Sequence, residues 1–125
     1  MIKIIAKYWI FLSFVLLMVI TVLSLLPLAE LPVKVPGSDK MHHFIAYGAL
    51  MFPITIGKPK HLWWIVLLLI SYSGGIELLQ PYVNRYGEWL DLAANSGGLL
   101  FGWITARFVL FLVPHHHDRS NCDQY

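Results

Sequence analysis

Residues 74–102, GGIELLQPYVNRYGEWLDLAANSGGLLFG, set Glu77, Gln80, Arg85, Asp91 and Asn95 around the ends of two otherwise apolar segments. A second polar group, Asp39-Lys40 with His43, opens another apolar segment. Charge beside hydrocarbon is expensive, about 2.5–3.5 kcal/mol for an Asp, Lys or Arg at a bilayer centre. A chain this apolar that keeps such side chains is expected to use them.

The bulk properties fit that reading. Of 125 residues, 58% are hydrophobic and only 13% are charged, which is unusual for a soluble domain. Several apolar runs approach the roughly 20 residues a bilayer crossing needs. The expectation is one small polytopic membrane domain, all-α, a four-helix transmembrane bundle. The single Cys122 excludes an intrachain disulfide. A formal charge of +2, with no basic stripe carrying interleaved aromatics, argues against a nucleic-acid partner.

Proline and glycine punctuation places the spans at about 8–26, 39–56, 61–80 and 89–113, with a polar tail at 114–125. Lys3 and Lys7 precede the first run as in a signal peptide, but the run is too long for such a core, so an uncleaved helix is expected. Pro27, Pro32 and Pro36 mark an extended loop. The second run is the shortest and most polar. Ser38 is its candidate N-cap and Pro53 its candidate kink, and it could be re-entrant rather than spanning. Trp63 and Trp64 open the third run, where interfacial aromatics belong. With the N-terminus inside, Lys3, Lys7, Lys58, Lys60, Arg107 and Arg119 lie inside and Lys34, Lys40 and Arg85 outside, six against three. This bias puts both termini in the cytoplasm of a multi-pass membrane protein.

On that topology the polar residues share one membrane face. His43 lies one turn into the second helix, with Tyr47 a turn further on the same side. Glu77 and Gln80 close the third helix three apart, and Asp91 and Asn95 open the fourth four apart. Each also has a plain structural reading. Glu77 could pair with Arg85 or Lys40, and Asp91 could favour a helix N-terminus through the dipole. Asn95 and Gln80 could be interhelical hydrogen-bond glue, and Gly74-Gly75, Gly97-Gly98 and Gly102 close-packing positions. The His115-His116-His117 triplet reads as an idle basic tail.

The ordered set has a family resemblance. Asp39-Lys40-Met41-His42-His43-Phe44, then Tyr47-Gly48 and Leu50, resembles the D-K-x-x-H-F motif that opens helix two of VanZ-like proteins. Glu77-Leu78-Leu79-Gln80, Arg85, Asp91-Leu92-Ala93-Ala94-Asn95 and Gly98 to Gly102 resemble that family's E-x-x-Q…R…D-x-x-x-N-x-x-G-x-x-x-G block. The resemblance covers about 38–102. The tight Asn84-Arg85-Tyr86-Gly87 turn and the short chain depart from the pattern. The resemblance implies a small integral membrane protein. The family's namesake is associated with low-level resistance to teicoplanin, an acylated glycopeptide that acts at the outer membrane face.

Three function classes follow. The first is a non-enzymatic envelope factor in the lipid bilayer that binds an amphiphilic or lipid-linked ligand. Its site would be an outward polar pocket of Asp39, Lys40, His43, Glu77, Gln80, Arg85, Asp91 and Asn95. The second is a structural or assembly protein whose polar groups knit helices together. The third is a membrane enzyme with His43 as acid or base and Glu77 or Asp91 as its orienter. A metal variant of that enzyme would use His43, Glu77 and Asp91, but no linear spacing matches a standard metal motif, so neither metal nor cofactor is expected. A homo-oligomer is compatible with every class.

Overall fold

The computed structural model describes residues 1–26, 39–83 and 88–113. The helices are α1 (Ile2–Leu25), α2 (Asp39–Ile56), α3 (Leu62–Leu79) and α4 (Trp89–Leu112), with a 3-10 turn, Gln80–Val83, extending α3. The proline-rich loop, the Ser38 cap, Arg85 with its turn and the tail with its His triplet lie outside the described residues.

Proline explains where two helices stop. Leu26 and Val113 are both extended, at φ −69°, ψ 135° and φ −81°, ψ 114°. Each precedes a proline, whose Cδ disfavours the helical region for the residue before it. Gln80 departs from that rule. It stays helical at φ −55°, ψ −41° in front of Pro81, and the chain tightens into the 3-10 turn instead of ending. α2 likewise continues through Pro53 to Ile56, and the Gly57 N–H then donates to the Pro53 carbonyl at 2.9 Å. α1 starts at Ile2, six residues before the expected start. The break at Tyr8 (φ −108°, ψ 17°) falls at that expected boundary.

The bundle runs up and down. The start of α1 meets the end of α2 where the Trp9 indole fills the space beside Gly57; a Cβ there would sit 2.3 Å from the ring. The end of α1 meets the end of α3, with Gln80 Nε2 donating to the Ser24 carbonyl at 3.3 Å and Thr21 sharing a hydrogen bond with Tyr72. α2 and α4 run parallel, since Phe44 abuts Gly98 and Gly48 abuts Gly102. α2 therefore travels from one end of the bundle to the other and does not double back.

Three helices, Ile2–Leu25, Leu62–Val83 and Trp89–Leu112, are long and apolar enough to cross a membrane. α2 is not among them, because its first turns carry Asp39, Lys40, His42 and His43. Yet α2 is the core of the molecule. Tyr47, Leu50, Met51 and Ile54 are at most 3% exposed, while Phe11, Phe14 and Met18 of α1 are at least half exposed. The helix with the most polar start is wrapped by the apolar ones, the arrangement expected of a protein solvated by hydrocarbon.

Glycines close the α2–α4 seam. A Cβ on Gly98 would lie 2.3 Å from the Phe44 carbonyl oxygen, and one on Gly102 2.3 Å from that of Gly48. Only a hydrogen fits there, as in small-residue helix pairs in membranes. The close-packing expectation fails for Gly74 and Gly75, where an added Cβ meets nothing within 4 Å. Gly97 faces only the Phe44 ring, at 3.4 Å.

Candidate functional site

At the end of the bundle where α2 and α4 begin and α3 finishes, polar side chains from three helices meet. His43, Ser73, Glu77, Asp91 and Asn95 are all at most 9% exposed. Buried polar groups of this kind are tolerated when they bond one another. His43 Nδ1 lies 3.0 Å from Asn95 Oδ1, and Asn95 Nδ2 donates to Ser73 Oγ at 2.5 Å. This chain links α2, α4 and α3 through three side chains. Because the Asn95 amide nitrogen donates to Ser73, its oxygen is placed to accept from His43 Nδ1–H, which leaves Nε2 outside this chain of bonds. Tyr47, one turn along α2, is 1% exposed.

The two carboxylates complete the cluster. One ring nitrogen of His43, one oxygen of Glu77 and one of Asp91 all lie within 4.8 Å of one another. Helical spacing explains the convergence. Ser73 and Glu77 are four apart on α3, as are Asp91 and Asn95 on α4, so each pair shares a face toward α2. Asp91 also sits in the first turn of α4, where the helix dipole favours a negative charge.

The remaining expected site residues fall elsewhere. Gln80, one turn beyond Glu77, is 1% exposed and ties α3 to α1 through Ser24. Lys40 lies at the rim, where its Nζ donates to Glu88 Oε2 at 2.8 Å; both side chains are about half exposed. Asp39 is the first residue of α2, and Arg85 is outside the described residues. Sequence reasoning missed Ser73 and Glu88. The signal for Ser73 was its place one turn before Glu77. For Glu88 no linear signal existed, since its partner is 48 residues away.

What these features define is a small helical membrane protein with a buried cluster of imidazole, carboxylate and amide at one end. A family model described as VanZ/LLP1 matches residues 4–111, most of the chain. The chain belongs to the VanZ-like family. No curated protein and no solved structure shows significant similarity to it.

Proposed function

We propose that this chain is a non-enzymatic envelope factor that binds the head group of an amphiphilic or lipid-linked ligand at the polar end of its bundle. The observation that carries this reading is the convergence of buried His43, Glu77, Asp91 and Asn95 from three helices at one end. A purely structural bundle gains little from such a cluster, because apolar replacements of buried ionic groups are often as stable. Intramembrane ionisable residues are read as functional by default. Lys40 and Arg85 would face a ligand phosphate or carboxylate through charge-assisted hydrogen bonds. An apolar groove of about 300 Å³ between Phe44, Gly48, Phe52, Phe101 and Gly102 is open to an acyl chain along the α2–α4 seam.

The polar end faces outward on this reading, with both termini in the cytoplasm and α2 as a fourth crossing. The end-to-end course of α2 supports that over a re-entrant path. A role in teicoplanin resistance would follow from such a ligand, because the antibiotic and its lipid-linked targets share that face. Native mass spectrometry of the protein with mixed envelope lipids tests the reading. Selective retention of anionic amphiphiles, weakened by Arg85→Ala, is expected. Equal retention of all lipids by wild type and variant would count against it.

A structural role is the second reading, favoured by the His43–Asn95–Ser73 chain, which joins three helices. It requires Glu77→Ala to prevent accumulation of the protein; a folded Glu77→Ala protein that has lost ligand selectivity supports the first reading instead.

A further inference from the structure

We propose that His43, Glu77 and Asp91 form a binding site for one divalent cation of the Zn2+ or Mn2+ class. The inference is independent of any lipid ligand. It starts from the donor set: one imidazole nitrogen and two carboxylate oxygens, one from each of α2, α3 and α4, within 4.8 Å of one another. First-row cations hold such ligands at about 2.0–2.2 Å, so neighbouring ligands on a tetrahedral ion stand about 3.5 Å apart. Side-chain rotations would draw the three donor atoms, within 4.8 Å of one another, onto one ion. Imidazole suits Zn2+ and carboxylates suit Mn2+, and the mixture excludes neither.

The surroundings are those of a metal site. Metal-bound histidines characteristically donate their other ring N–H to a fixed acceptor, which sets the tautomer. Asn95 does this for His43, and Asn95 is itself held by Ser73. With Nδ1 engaged by Asn95, Nε2 would be the coordinating nitrogen. Each proposed ligand side chain is at least nine-tenths buried, so an ion there would be shielded from bulk water. Three protein ligands leave coordination positions for water or for an anionic oxygen.

The test is metal content and affinity of the full chain, purified in detergent without a polyhistidine tag. His115→Ala, His116→Ala and His117→Ala are introduced together to remove the tail as a competing site. The protein is stripped with chelator, dialysed against ZnCl2 or MnCl2 and assayed by elemental analysis and titration. One equivalent of Zn2+ or Mn2+ is expected, with X-ray absorption showing a single imidazole among oxygen ligands. Asp91→Asn and Glu77→Gln, which preserve shape, should abolish stoichiometric binding. Asn95→Ala should weaken it about 10- to 100-fold, as loss of a group that orients a ligand does. Binding of less than a tenth of an equivalent by the folded wild-type cluster would overturn the proposal. So would an equivalent retained at unchanged affinity in folded Asp91→Asn protein.

Discussion

The two halves of the α2–α4 seam are held together by opposite means. In the middle, Gly98 and Gly102 let backbones touch, with Phe44 and Gly48 carbonyls where side chains would otherwise be. At the end, one turn before Gly98 on α4, the helices are joined by side chains, His43 to Asn95, with Ser73 of α3 beyond. The glycine half gains dispersion contacts, which hydrocarbon solvent cannot supply as well to a gapped interface. The polar half gains less stability per group, because interhelical hydrogen bonds in membranes average about 0.6 kcal/mol. Close packing explains the glycine half completely. The polar half also buries His43, Glu77 and Asp91 together, the groups on which the proposed ligand site rests.

Substitutions can separate the halves. The largest effect is expected at the glycines. Gly98→Val places methyls against the Phe44 backbone, which cannot retreat, and should cost more than about 3 kcal/mol, the upper range for overpacking. Loss of accumulated, detergent-stable protein is the readout. A normally folded Gly98→Val protein would show that the seam is looser than described. Next comes Asn95→Ala, which leaves both His43 Nδ1–H and Ser73 Oγ without their partner. A loss of about 1–3 kcal/mol is expected in reversible unfolding.

Smaller effects sharpen the contrast. Gly74→Ala meets open space on α3 and should stabilise by up to about 1 kcal/mol through helix propensity. Destabilisation there would revive the idea that Gly74 is a packing position. Lys40→Ala removes a half-exposed ion pair with Glu88 and should cost no more than about 1 kcal/mol, less at high salt. A larger loss would mean that Lys40 belongs to the buried cluster and not to its rim.

Much of this arrangement was legible in the sequence, for reasons particular to each residue. His43, Glu77 and Asp91 each lie about a turn from a helix end, so helix boundaries alone put them at one depth, and Asn95 lies one turn further along the face of Asp91. The boundaries were legible where proline forces the preceding residue to be extended, at Leu26 and Val113. The end of α3 at Leu79 also falls where expected, with a 3-10 turn carrying the chain on through Pro81, whereas the start of α1 was misjudged at Ile2, where a helix with lysines in it begins before the apolar run. Glycine type was the weakest guide. Gly57, Gly74 and Gly98 look alike in sequence, but only the neighbouring helix decides that Gly57 faces an indole, Gly98 a carbonyl and Gly74 nothing. The ligand set His43, Glu77 and Asp91 was legible, but it matched no linear metal motif, because such motifs expect ligands on one helix or loop and here each of three helices supplies one.

The central claim is that polar side chains from separate helices act on one another at this end of the bundle. A double-mutant cycle on His43 and Asn95 tests it most directly, with His43→Ala, Asn95→Ala and the double variant unfolded reversibly in mixed micelles. The account predicts a coupling energy of about 0.5–3 kcal/mol between residues 52 positions apart in the chain. Strict additivity of the two substitutions would contradict it.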